Sequence, residues 1–280
     1  MKFAQKMPSN ATVRNNVQLG GKGRQPLMFA HGFGCDQNMW RFLAPKFEDR
    51  FRTVLFDHVG CGKSDISAYQ IERYGTLLGY ARDVVEIAEE HDLRDIIFVG
   101  HSVSSMIGVL AAKLAPERFS HLVLLVPSAC YIDALPDYKG GFSRTDLEGL
   151  LDLMEKNYVG WASFLAPMVM KNEDQPELQK ELATSFCAAD PAIARRFASV
   201  TFLSDHRGDL AGVKLPSLIV QCSDDAIAPS SAIEFVHQQL RGSTLRTLKA
   251  TGHCPHMTHP EETSRVLEEY FSASGLPRAS

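Results

Sequence analysis

The sequence predicts an α/β protein: a mostly parallel sheet flanked by helices and interrupted by a helical insert. Three observations carry that reading. From about Pro26 onward, short apolar runs alternate with longer amphipathic stretches, the pattern of parallel strands joined by crossover helices. The alternation stops between Cys130 and His206, where helix-like segments follow one another with no strand between them. The chain has 280 residues, 45% of them hydrophobic, enough for one sheet with its own core and an insert.

The elements follow in order. Residues 26–30, 52–57, 95–100, 121–126, 217–222 and 244–249 read as strands, rich in Ile, Val, Leu and Phe and ended by turn residues. Residues 77–90 place Leu77, Leu78, Ala81, Val84, Val85 and Ala88 at helical spacing, with Arg82, Asp83, Glu86 and Glu89 assigned to the outer face. Residues 260–272 form the last helix, with Val266, Leu267, Tyr270 and Phe271 inward. The insert supplies three helical segments, 145–170, 176–187 and 192–203. They carry Trp161, Phe164, Met168, Met170, Phe186, Phe197 and Phe202, more apolar surface than solvent-facing helices need. Part of it is expected to pack the insert down and part to line a cavity. The domain boundaries are therefore 1–130 and 207–280 for the core and 131–206 for the cap, with 275–280 as a frayed tail.

Composition removes several function classes. Twenty-nine Lys and Arg against thirty-three Asp and Glu give a net charge of −4, so no basic field draws in nucleic acid or anionic lipid. The longest apolar stretches are strand-sized, far below the ~18 residues of a membrane span. The first residues, MKFAQKMPSN, lack the apolar run of a signal peptide, which places the protein in the cytoplasm. Six cysteines without a CxxC pair read as free thiols.

The chemistry starts at Gly100-His-Ser-Val-Ser104, which joins a strand to a helix starting near Val103. This is the setting of a nucleophile elbow, a strained turn that lifts a serine hydroxyl above the sheet at a helix N-terminus. Ser104 stands where the usual G-x-S-x-G has its last glycine. A serine is a weak nucleophile without a base and an orienting acid, expected in the chain order serine, acid, histidine. Asp224 and Asp225 follow the 217–222 strand, and His253 follows the 244–249 strand. The loop after the first central strand, His31-Gly-Phe-Gly34, can aim backbone amides at a developing oxyanion, and the expected donors are the amides of Phe33 and Val103. Two other motifs are set aside. Gly60-Cys-Gly-Lys-Ser64 has Asp57 where a P-loop needs its first glycine. His253, His256 and His259 are separated by Pro255 and Pro260, which break any helix that would align them on a metal. No metal and no cofactor is expected.

These residues resemble the α/β-hydrolase family over nearly the whole chain. Within it they are similar to the branch of the bacterial stress-response regulator RsbQ and the plant karrikin and strigolactone receptors. The segments that carry the likeness are His31-Gly-Phe-Gly-Cys-Asp-Gln37, Gly100-His-Ser-Val-Ser104, Gly140-Gly-Phe142, Glu155-Lys-Asn-Tyr158, Phe202-Leu-Ser-Asp-His-Arg207, Gln221-Cys-Ser-Asp-Asp225 and Gly252-His-Cys-Pro-His256. The resemblance implies an eight-stranded, mostly parallel sheet under a helical cap. It implies a triad of Ser102, Asp225 and His253, with Asp225 favoured because Asp225-Ala-Ile-Ala-Pro229 resembles the family's D-x-x-x-P loop and Asp224 left to bond the turn. It implies an apolar pocket including Phe33, Phe142, Trp161, Phe164 and Phe202 for a small hydrophobic ester or lactone. A PAS-domain phosphatase partner, activating a stress sigma factor, would follow from the RsbQ likeness. Two rivals stand beside this reading: a metabolic esterase or carbon–carbon bond hydrolase with no partner, and a ligand-sensing protein whose hydrolysis is incidental.

Overall fold

The computed structural model describes residues 10–277. The reading of the N-terminus as leaderless and the last residues of the tail lie outside them. Seven strands form one sheet: β1 (Gln18–Gly20), β2 (Pro26–Ala30), β3 (Arg52–Phe56), β4 (Ile96–His101), β5 (Phe119–Leu125), β6 (Ser217–Asp224) and β7 (Thr244–Thr251). The order is β1-β3-β2-β4-β5-β6-β7, with β1 antiparallel to β3 and every other pairing parallel. Eight strands were implied; among the described residues there are seven. Of these β1 is three residues long, lies at the edge and has no apolar run, so no periodicity announced it.

The sheet is buried on both faces, and its side chains divide with the two-residue period of a strand. Leu27, Phe29, Ile97, Val99, Val123 and Leu125 join one core cluster; Met28, Ala30, Ile96, Phe98, Leu122 and Leu124 join the other. The second face is covered by α3 (Leu77–Glu90), α4 (Val103–Leu114) and α9 (Ser230–Gln239). The first is covered by α11 (Pro260–Ala273), whose Val266, Leu267, Tyr270 and Phe271 are buried as the spacing predicts. Short helices α1 (Ala11–Arg14), α2 (Ile71–Tyr74) and α10 (Pro255–Thr258) complete the core, and Leu276 packs on it, so the tail is held as far as it is described.

Between β5 and β6 the chain makes four α-helices: α5 (Arg144–Lys156), α6 (Tyr158–Met170), α7 (Pro176–Ala188) and α8 (Pro191–Phe202). The predicted 145–170 helix is two. Asn157 interrupts it with φ −152° and caps the second half by accepting the Gly160 N–H at 3.0 Å. α5 opens on a reciprocal cap in which Ser143 and Asp146 satisfy each other's backbone N–H. Leu151, Trp161, Leu165, Val169, Leu182 and Phe186 from these helices belong to the same core cluster as one sheet face. Asp83, assigned to the outer face of α3, is instead fully buried. Arg73 and Arg14 lie 2.5 and 3.0 Å from its Oδ1, and Tyr74 donates to Oδ2 at 2.9 Å. Burial raises its pKa, the two guanidiniums oppose that rise, and the pairing explains how a carboxylate tolerates the site. No described helix is long and apolar enough to cross a membrane.

The topology places the site. From β2 the chain steps outward to β3, then returns to the other side of β2 with β4. The C-terminal ends of β2 and β4 flank this switch point, where open α/β sheets bind ligands. Ala30 pairs with Gly100 across it, so the His31 loop and the Ser102 turn leave the sheet side by side.

Candidate active site

Ser102 sits at the N-terminus of α4 with φ 55° and ψ −122°, a backbone conformation that a non-glycine residue adopts only when its surroundings enforce it. Its N–H donates to the Leu125 carbonyl at 2.9 Å, which ties the turn to β5. Gly100 is required here: a Cβ on it would lie 2.4 Å from the Ser104 carbonyl oxygen. Ser104 is buried; its hydroxyl lies 2.7 Å from His58 Nε2 and donates to the His31 carbonyl at 2.5 Å. The departure from the usual glycine thus has its own hydrogen bonds.

His253 Nε2 is 2.8 Å from Ser102 Oγ, and His253 Nδ1 is 2.7 Å from Asp225 Oδ2. A carboxylate only accepts, so Nδ1 carries the ring hydrogen and Nε2 accepts that of Ser102. The other Asp225 oxygen accepts the N–H groups of Ile227 and Ala228 at 2.8 and 3.1 Å, which fixes the carboxylate. Asp224 turns outward to Lys171 Nζ at 2.6 Å, while its backbone carbonyl accepts the Gly252 N–H at 2.8 Å. The expectation that the Asp224 side chain bonds the turn is therefore corrected; it makes an exposed ion pair instead. The His253 N–H is held by the Val169 carbonyl of α6 at 2.7 Å.

The two expected oxyanion donors also have their supports. His31 Nδ1 donates to the Gly32 carbonyl at 2.8 Å, and its Nε2 accepts the His58 N–H at 3.0 Å. A trans peptide points its C=O and N–H in opposite directions. Pinning the Gly32 carbonyl to His31 therefore fixes the Phe33 N–H on the opposite side. The Val103 N–H is in the first turn of α4 and has no partner within that helix.

Ser102 and His253 face a narrow, partly open cavity with room for the centres of one or two water molecules, about 30 Å³. Phe33 and Phe202 line it, with Leu165, Leu182, Phe186 and Ile227. Three pocket assignments are displaced. Trp161 is buried one layer back, its ring centroid 6.1 Å from Phe33 and 5.1 Å from Phe186. Phe142 lies outside the cavity and bonds the 131–142 loop through its backbone, donating to Tyr131 O at 3.1 Å. Phe164 is 53% exposed, because Trp161, Leu165 and Val169 take the inward face of α6 and leave position 164 on the outer one.

Two polar groups at this site had no signal in the sequence. The Tyr131 hydroxyl lies 3.3 Å from Ser102 Oγ, and burial raises its pKa, so it is a neutral donor. The buried Thr201 hydroxyl lines the cavity without a partner. His256 is buried between Trp40 and His101 at ring-centroid distances of 4.5 Å, its pKa pushed down to about 3 mainly by burial. Among the described residues no group of three His, Cys, Asp or Glu is arranged to hold a metal ion.

Comparison with known proteins gives the family. Residues 25–260 match the alpha/beta hydrolase fold family. The chain is 37% identical over 254 residues to the karrikin insensitive 2 receptor CA of Petunia hybrida, covering 90% of this chain and 94% of that one. It is 34% identical over 264 residues to the strigolactone esterase D14 of Arabidopsis thaliana, covering 94% and 96%. The solved structure of a hydrolase from Oleispira antarctica superposes with a TM-score of 0.92 at 42% identity, covering 94% and 96%. A nucleophile-elbow backbone at a sheet switch point and a match across most of the chain lead to one conclusion: the protein belongs to the α/β-hydrolase family.

Proposed function

We propose that this α/β hydrolase is a serine esterase that opens a small apolar ester or lactone, with Ser102 as nucleophile, His253 as base and then acid, and Asp225 holding the imidazole. The observation that carries the reading is the unbroken chain Ser102 Oγ–His253 Nε2 at 2.8 Å and His253 Nδ1–Asp225 Oδ2 at 2.7 Å, anchored on a positive-φ serine. In acylation the Ser102 oxygen bonds to the substrate carbonyl carbon while its proton passes to Nε2. The carbonyl oxygen becomes an anion facing the N–H groups of Phe33 and Val103, each such donor contributing about 3 kcal/mol to the transition state. The C–O bond to the leaving group then breaks, and His253 returns the proton to that alcohol. Water repeats the sequence on the acyl-enzyme and releases the acid.

The cavity supports the substrate class. Its walls are aromatic and aliphatic, so they favour an apolar acyl group and give little to a charged one. We read 131–206 as a cap over a core of 1–130 and 207–280, and six unpaired cysteines support a reducing, cytoplasmic location. Relatives named for karrikin and strigolactone support a regulatory role in which the bound molecule is a signal. An RsbQ-like phosphatase partner rests on the sequence resemblance.

The test is intact mass of wild type and Ser102→Ala after exposure to a small sulfonyl fluoride, with p-nitrophenyl acetate turnover in parallel. A single adduct and turnover in wild type alone support the proposal. Equal turnover by Ser102→Ala, or an adduct on another residue, defeats it.

A further inference from the structure

Beside the serine stands a second histidine that the acyl-transfer chemistry leaves without a task. His101 ends β4, is 2% exposed and precedes Ser102 directly. Its Nε2 lies 2.7 Å from the backbone carbonyl oxygen of His253, 152 residues away in the chain. A carbonyl only accepts, so Nε2 carries the hydrogen, and Nδ1 is left unprotonated with no partner. The ring also fills the space beside the oxyanion loop: a Cβ on Gly32 would come within 2.4 Å of its Nδ1. The groups packed around it are His256 and His253, at ring-centroid distances of 4.5 and 5.2 Å, and the more remote His31. Burial first, then these neighbouring imidazoles, hold its pKa well below the usual histidine range. It is therefore a neutral ring with one fixed tautomer.

We propose that His101 is a positioning residue for the hydrolytic reaction, a spacer that sets the base loop, the nucleophile turn and the oxyanion loop at fixed distances from one another. Its backbone carries the nucleophile, its Nε2–H holds the His253 carbonyl, and its ring face determines how near Gly32 and the following Phe33 N–H approach. The His253 main chain is then clamped at both of its polar groups, the N–H by Val169 O and the C=O by His101. Only the imidazole remains to be oriented, and Asp225 does that. Misplacement of a reacting group by about 1 Å costs on the order of a hundredfold in rate, so a spacer of this kind acts on turnover and leaves substrate affinity alone. This inference rests on Ser102 being the nucleophile.

The experiment compares wild type, His101→Phe and His101→Gln in p-nitrophenyl acetate hydrolysis, with thermal melting of each. Phenylalanine keeps the ring volume and loses the donor; glutamine keeps an N–H at similar reach. The expected result is a fall in kcat of about ten- to a hundredfold in His101→Phe with KM changed by less than about threefold, and recovery of most of kcat in His101→Gln. A purely structural role would order the variants by melting temperature and would not separate kcat from KM. Wild-type kcat in His101→Phe, or glutamine no better than phenylalanine at equal stability, overturns the proposal. Should His101→Phe fail to fold, ¹⁵N spectra of the wild-type histidines decide: His101 is expected protonated at Nε2 alone and unchanged from pH 5.5 to 8, and the Nδ1–H tautomer or titration in that window overturns it. Failure of the nucleophile reading is distinguishable, because there Ser102→Ala itself would retain turnover.

Discussion

The Ser104 hydroxyl donates to the His31 carbonyl across 2.5 Å, joining the first turn of the helix behind the proposed nucleophile to the loop that aims the Phe33 N–H. The same oxygen lies 2.7 Å from His58 Nε2, which makes Ser104 the junction of three buried polar groups. Replacing it by alanine strands the His58 ring and one lone pair of His31. Ser104→Ala is expected to lose about 1–3 kcal/mol of stability, read by urea unfolding, and Ser104→Gly to do no better despite restoring the usual motif. A wild-type midpoint for either variant would show that the junction carries no weight.

The two adjacent acids separate cleanly by mutation. Asp225→Asn presents an amide to His253 Nδ1 and favours the wrong tautomer, with an expected loss in kcat of about 10³–10⁴. Asp224→Asn removes an exposed pair with Lys171, worth under about 1 kcal/mol, and is expected to leave kcat within about threefold of wild type. Steady-state kinetics on both variants check the assignment, and a reversed order refutes it.

Stability is expected to fall as the solution is acidified below about pH 6.5. His31, His58, His101 and His256 are buried, and burial lowers the pKa of each, to about 3 for His256. The unfolded chain therefore takes up protons at a pH where the folded one does not. Stability from each group is complete above its unfolded pKa and is lost as pH falls toward the folded one, at about 1.4 kcal/mol per pH unit. Urea midpoints between pH 7.5 and 4.5 test this, and His256→Phe should flatten the slope by one proton. A midpoint constant over that range would contradict the sign.

Leu182 lines the cavity from α7 and is 3% exposed. Leu182→Ala should cost about 2–5 kcal/mol in stability and enlarge the chamber. The ratio of kcat/KM for p-nitrophenyl butyrate over acetate should then rise about tenfold. An unchanged ratio would mean that α7 does not bound the acyl site.

Six strands and the helices that cover them were legible because each is local, a periodicity or a turn; the proposed Ser102, Asp225 and His253 drew notice for the same reason, each lying in a turn or loop after a strand. Features set by distant contacts were not. Asp83 follows the polar phase of α3, and only the approach of Arg14 and Arg73 from α1 and α2 puts it indoors. Phe164 and Trp161 are three residues apart and equally aromatic, yet the rotation of α6 exposes one and buries the other. Tyr131 reaches Ser102 from the loop after β5, a meeting that nothing in its neighbours announces.

The cavity beside Ser102 is narrow, with free space of about 30 Å³, so an acyl group fits only where the surrounding side chains give way. The helices that roof it share a continuous core with the sheet, so letting a substrate in means briefly exposing apolar surface that folding had hidden. Entry of a substrate is therefore coupled to local opening of the cap helices.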